Sequence, residues 1–339
     1  MDFVCFGEIM GRLNPKGYGR LVQSNELCVI YGGGEANVAV SLANFGKRAV
    51  YVTKVPDNEL SKAALGALKI HNVDVSRVVY GGDRLGLYFI EKGASQRPSR
   101  VIYDRKYSAI SMAKKEDFDW RRIFSNAEWF HFTGITPALS DTCAEICLEA
   151  CRIAKGLGIT VSCDLNFRKN LWDSKKAGQV MATLMPYVDV VIANEEDCEK
   201  VFGISAEDTD VSGGELSYEG YKTVAKKLSE RFAIPTVAIT LRESQSANDN
   251  DWSAMLYNHG EYFFSKKYSL HIVDRVGGGD SFGGGLIYAL SEGKGNQYAI
   301  DFAVAASALK HTVEGDFNEA SVGEIETLMG GDGSGRVQR

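Results

Sequence analysis

The segment Val273 to Gly285 constrains this chain more than any other. It reads V-D-R-V-G-G-G-D-S-F-G-G-G, an apolar strand end running into three glycines, an acid and a glycine-studded helix start. Glycine has no Cβ, so backbone N–H groups can converge there on one point, and the following helix aims its positive dipole end at the same place. Such a turn is a nest for an anion. Asp280 sits directly beside it. An acid is costly next to phosphate unless it has a task, and taking a proton from an attacking hydroxyl is the obvious one. Gly283, Gly284 and Gly285 then interrupt the apolar pattern of Phe282, Leu286, Ile287 and Leu290. Each glycine costs a helix about 1 kcal/mol relative to alanine, which points to close approach of a ligand or of another backbone. A tight strand-to-helix turn without chemistry accounts for the glycines alone, but not for the acid placed after them.

The 339 residues are enough for one large α/β domain or two domains with a buried core, and 45% apolar with 24% charged residues describes a globular chain. A net charge of −6 gives no general attraction to nucleic acid or anionic membrane, so an anionic ligand needs a local basic pocket. No run approaches the roughly 18 apolar residues of a membrane span, and Met1 to Phe6 has no basic stretch leading into an apolar one. A cytoplasmic protein is expected. Cys143, Cys147 and Cys151, three of the seven cysteines, repeat every four residues. That spacing fits one buried helix stripe of reduced thiols, since zinc sites favour C-x-x-C pairs.

From about Ala113 onward, helical segments such as Thr142 to Lys155 and Tyr221 to Phe232 alternate with β-rich runs at Val161–Asp164, Val188–Ile192 and Thr236–Ile239. This rhythm predicts a Rossmann-like, doubly wound, mostly parallel sheet that Asp2–Phe6 joins. Arg20–Tyr31 and Gly81–Ser111 break the rhythm and read as β-ribbons. They form either a small separate sheet, a lid over a cleft built from about 12–32 and 80–111, or edge strands of one continuous sheet. The whole of 1–339 is expected to be a single domain, with a surface loop over 208–220 and a flexible glycine-rich tail over 331–339.

Several short constellations carry chemistry. Tyr31-Gly32-Gly33-Gly34-Glu35-Ala36-Asn37 opens a helix with glycines, but Asn37 occupies the last glycine place of the dinucleotide fingerprint, and no G-x-x-x-x-G-K-[ST] occurs. Asp164, Asn166 and Arg168 alternate just after a strand, at the carboxyl edge where open α/β sheets bind ligands. They either face one cleft, with Arg168 offering a planar fork to phosphate or carboxylate, or form a surface turn with an ion pair. Asn194-Glu195-Glu196-Asp197 follows another strand and suits both a magnesium site with few protein oxygens and an Asn-capped helix start. Tyr103 and Arg105, with Tyr88 opposite, suit a sugar acid, although tyrosines in strands are also ordinary packing. The five histidines are scattered, and none is given a catalytic role.

With Gly33-Gly34, Asp164 to Arg168, Asn194 to Asp197 and Gly277 to Asp280 in this order, the chain resembles the ribokinase-like PfkB carbohydrate kinases over nearly its full length. The stretches Gly86–Ser99 and Thr240–Ser244 resemble most the 2-keto-3-deoxygluconate kinases. The resemblance implies an ATP-dependent kinase with a β-clasp lid, Asp280 as base and Gly277, Gly278 and Gly279 as anion hole. It places Gly33, Gly34, Asn37, Tyr88, Tyr103, Arg105, Arg168 and Asp316 on the sugar acid. Thr240, Arg242 and Ser244 would lie along the nucleotide, with Asn166 and Asn194 organising phosphate and Mg2+, and Glu195 and Asp197 touching the metal through water. The family's usual D-T-x-G-A-G-D has Arg275 for Thr and Gly278 for Ala here, and the extra glycine is expected to loosen the hole. The N-x-x-E motif ends in Asp197, and the nucleotide-side G-x-x-G after Thr240 is missing. The expected reaction gives 2-keto-3-deoxygluconate 6-phosphate. The rivals are a kinase of a neutral ketose such as fructose, a non-catalytic sugar-binding regulator and, last, a dehydrogenase. An exposed face of the lid sheet is a candidate surface for a homo-oligomer.

Overall fold

The computed structural model describes residues 1–205 and 218–331, with Glu195 described by its backbone alone. A nine-stranded sheet forms the body. Its strands run in the order Glu261–Phe264, Asp249–Asn258, Thr236–Ser244, Val190–Asn194, Thr160–Asp164, Ala127–Thr133, Asp2–Phe6, Arg48–Val52, and Tyr268–His271 pairs alongside Asp249–Asn258. Pairing is parallel from Arg48–Val52 through to Thr236–Ser244 and antiparallel beyond it. Parallel strands covered on both faces must be apolar on both faces. In Asp2–Phe6, accordingly, Val4 and Phe6 enter one core cluster while Phe3 and Cys5 enter the other.

Helix Asp141–Gly156 covers the first face. Ser140 caps it, its hydroxyl accepting from the Cys143 N–H at 3.1 Å. Cys143, Cys147 and Cys151 lie on its buried side as free thiols. Helices Gly34–Asn44, Gly278–Glu292 and Asn296–Lys310 cover the second face. Two glycines of the triplet in Gly278–Glu292 are explained here by close packing of neighbouring helices. A Cβ on Gly284 would lie 2.6 Å from Ser41 Cβ, and one on Gly285 3.1 Å from Ala303 Cα.

A separate four-stranded sheet has the order Cys28–Gly32, Met10–Asn14, Gly86–Glu91, Arg100–Asp104. It is not part of the main sheet, which removes the reading of its strands as edges of one continuous sheet. Its make-up differs from the expected ribbons. Within Arg20–Tyr31 only the end is strand, Leu21–Gln23 is a short 3-10 turn, and Met10–Asn14 supplies an inner strand. The loop expected over 208–220 ends by Tyr218, where helix Tyr218–Phe232 starts. The rest of that loop, and the tail beyond Gly331, lie outside the described residues.

Candidate active site

A cleft of about 470 Å³ opens at the carboxyl ends of the parallel strands, between the body and the small sheet. Gly33 and Gly34, Asp164 to Arg168, Asn194 and Gly277 to Asp280 lie far apart in sequence. They meet here because each follows a strand at that edge of the sheet.

Helix Gly278–Glu292 begins at the cleft, with Gly277 as its N-cap in the left-handed region at φ +81°. A Cβ on Gly277 would lie 1.9 Å from the Asp316 carbonyl oxygen, so only glycine fits. Among the described residues no backbone acceptor takes the N–H of Gly279 or Asp280, which leaves two donors at the positive end of the helix. Gly278 does not line the cleft. A Cβ there would lie 2.3 Å from the imidazole of His311, so this glycine is filled in by a ring and the hole is not loosened. His311 also lines the cleft, as Trp252 does, and burial pushes its imidazole down to about 4. Its Nδ1 pairs with the Ser307 carbonyl at 2.7 Å, and neutral imidazole must donate through that nitrogen.

Asp280 faces the cleft from the first turn. Asn37 donates its amide to Asp280 Oδ2 at 2.7 Å, and Asn37 Oδ1 accepts from the Gly33 N–H at 3.2 Å. Burial pushes Asp280 up to about 6 from an ordinary 3.8, against the Asn37 amide and the charge of Arg168. That suits a base working near neutral pH. Gly34 lies alongside, where a Cβ would stand 3.6 Å from Asp280 Oδ1.

The small sheet supplies one end of the cleft. Tyr88 and Tyr103 face each other across neighbouring strands, ring centroids 6.1 Å apart. The Tyr88 hydroxyl donates to Asp316 Oδ2. Fully buried Arg12 donates to Asp316 Oδ1 at 2.6 Å and to Asp274 Oδ2 at 2.7 Å. Asp316 thus lines the cleft with its carboxylate already engaged, and Arg12 ties the small sheet to both flanks of the glycine turn. Arg105 also lines the cleft, its Nε donating to buried Glu8 at 2.7 Å. Neither Arg12 nor Glu8 was singled out by the sequence, because their partners lie scores to hundreds of residues away and no local pattern announces them.

Just past strand Thr160–Asp164, Asn166 takes φ +40°, a left-handed conformation that Asn tolerates, and Arg168 lines the cleft with its only described hydrogen bond going to the Phe167 carbonyl. Thr240 and Arg242 line it from strand Thr236–Ser244. Ser244 does not. It pairs with Asn250 in the antiparallel hairpin, and its hydroxyl bonds Asn250 Oδ1 at 3.0 Å. Asn194 accepts from the N–H groups of Glu196 and Asp197, both at 2.9 Å, and so is a helix cap as well as a cleft residue. Asp197 accepts from the Phe167 N–H at 3.0 Å and the Asn194 N–H at 3.3 Å, which ties two cleft loops together. The side chain of Glu195 is outside the described residues, and Glu196 lines the cleft beside it.

The residues fit a magnesium ion. Burial and the charges of Asp197 and Asp280 raise Asp164 well above its ordinary 3.8, against the charge of Arg168, as expected of acids gathered in one place. Among the described residues no three His, Cys, Asp or Glu side chains could hold a metal by themselves. Magnesium asks for less, one or two carboxylates plus water and phosphate.

Residues 2–321 match the pfkB family carbohydrate kinase model. The chain belongs to that family. Among relatives of this pfkB kinase, a 2-dehydro-3-deoxygalactonokinase of Haloferax volcanii is 32% identical, with 98% of each chain covered. The crystal structure of 2-dehydro-3-deoxygluconokinase from Thermotoga maritima superposes with a TM-score of 0.94 at 51% identity, covering 98% of both chains. A putative ribokinase II from E. coli, solved with ATP and Mg2+, shares the fold at a TM-score of 0.80 and 20% identity, covering 97% of this chain and 98% of its own.

Proposed function

We propose that the chain transfers the γ-phosphoryl group of ATP to the terminal hydroxyl of 2-keto-3-deoxygluconate, also called 2-dehydro-3-deoxygluconate, giving the 6-phosphate. The observation that carries this is Asp280. It is a carboxylate raised to about 6, held by Asn37, in the first helical turn beside unpaired amide donors and open to a cleft with arginines at both ends. The 51% identity to the Thermotoga maritima enzyme supports the choice of sugar.

In this reading Asp280 accepts the proton of the sugar hydroxyl as its oxygen bonds the γ-phosphorus. The bond from that phosphorus to the bridging oxygen breaks, and ADP leaves. The N–H groups of Gly279 and Asp280 meet the charge on the moving group. Tyr103, Arg105 and Arg168 hold the sugar acid beside Gly33, Gly34 and Asn37, while Tyr88 and Asp316 fix the wall behind it. Thr240 and Arg242 line the nucleotide end. Asp164, Asn166, Asn194 and Glu196 would hold Mg2+, Asp197 and Glu195 through water, and bound there the ion supplies charge neutralisation for phosphate. The small sheet acts as the lid that excludes water, and its exposed outer residues Val29 and Ile102 are where a second copy would pack.

The Haloferax volcanii relative favours a second reading, the galacto epimer of the same acid. Initial rates with ATP and Mg2+ on 2-keto-3-deoxygluconate, its galacto epimer and fructose test both. The gluco acid is expected to give the highest kcat/KM. Preference for the epimer selects the second reading, and a rate on fructose equal to that on the acids overturns both.

A further inference from the structure

At the nucleotide end, an assignment on which this inference rests, two guanidiniums share the cleft without a counter-charge. Arg242 stands two residues beyond Thr240 on the same strand, hence on the same face, and Arg275 stands two residues before the glycine turn. Both line the cleft. Among the described residues neither has a carboxylate within ion-pair distance. The adjacent acids are engaged elsewhere, Glu243 with Lys267 at 2.6 Å and Asp274 with Arg12 at 2.7 Å. Arg275 is half-buried, and its described hydrogen bond is from Nη2 to the Ala247 carbonyl at 3.0 Å. Burial and the charge of Arg242 both disfavour its cation. His311 feels both arginines and Lys310 and is held neutral, so it adds no further charge and brings no compensating one. Like charges kept together with one of them half-buried are unfavourable until an anion joins them. The planar forks of two arginines suit the oxygens of a diphosphate.

We propose that Arg242 and Arg275 clamp the phosphates that remain in ADP, so that this chain grips the leaving group with charge at the place where the usual motif offers a threonine hydroxyl. The transferred group belongs at Gly279 and Asp280. Position 275, on the near side of the turn, faces what stays behind.

Calorimetric binding of ADP and AMP to the full chain at low and high salt tests this, with Arg275→Thr, Arg275→Lys and Arg242→Gln beside the natural protein. Arg275→Thr and Arg242→Gln are each expected to weaken ADP about tenfold or more and to flatten its salt dependence. AMP should change less, and Arg275→Lys, which keeps the charge, should lose less than Arg275→Thr. The KM for the sugar acid should stay within about twofold, since a factor of two is under 0.5 kcal/mol. Unchanged ADP affinity and salt slope would overturn the clamp, as would a rise in sugar-acid KM with ADP unaffected. If the natural protein binds no ADP at all, the nucleotide assignment itself fails, and the clamp with it.

Discussion

At the small-sheet end of the cleft the charged groups are married to one another, whereas at the opposite end Arg242 and Arg275 have no carboxylate within ion-pair distance among the described residues. Arg12 is shared between Asp274 and Asp316, Arg105 is bonded by Glu8, and Tyr88 gives its hydroxyl to Asp316. Among the described residues Arg275 has only a backbone carbonyl, and Arg242 has no described partner. Buried pairs of the first kind hold a shape, because removing one member leaves an uncompensated charge. Unpaired groups of the second kind hold a place for an incoming anion. One end is therefore finished before any ligand arrives, and the other is completed by it.

The largest expected effect lies where the two ends meet. Asp280→Asn should lower kcat by about 10²- to 10⁴-fold while calorimetry finds sugar binding nearly intact; equal turnover in both proteins would remove the base. Next in size is the finished end. Arg12→Met leaves Asp316 without its cation and Asp274 with Lys92 alone at 3.4 Å, and should cost about 3–5 kcal/mol of unfolding free energy in a denaturant titration, whereas Arg242→Gln at the open end should stay within about 0.5 kcal/mol. Similar losses from both substitutions would erase the contrast between the ends. Smallest is the pH response. Asp280 must be ionised to act, and burial raises its carboxyl to about 6, so kcat/KM should fall as pH drops through that value, at about tenfold per unit. Asn37→Ala removes the amide that favours the ionised form, and the acid limb should move to higher pH. A limb that stays in place in this variant would mean that another group sets it.

Much of the body was legible because it obeys local rules. Alternating helix and strand patterns, glycines at a strand-to-helix turn and polar residues just past strand ends are enough to bring Gly34, Asp164, Asn166, Arg168 and Asp280 to one edge. The small sheet was harder to read. Met10–Asn14 contains Gly11 and Arg12, a poor strand by composition, and it becomes an inner strand because acids at 274 and 316 receive the buried guanidinium. Ser244 differs in another way. It comes from the resemblance alone, and it is not among the residues lining the cleft, its hydroxyl being bonded to the hairpin partner Asn250. His311 carried no motif at all, and only the shape of Gly278 against its ring explains why it sits at the cleft.

The fit of His311 over Gly278 makes these two positions a single unit of inheritance. An alanine at 278, as the usual motif carries, would need the methyl and the imidazole to occupy one volume, so the consensus motif cannot be grafted into this scaffold unless the distant ring is exchanged in the same step.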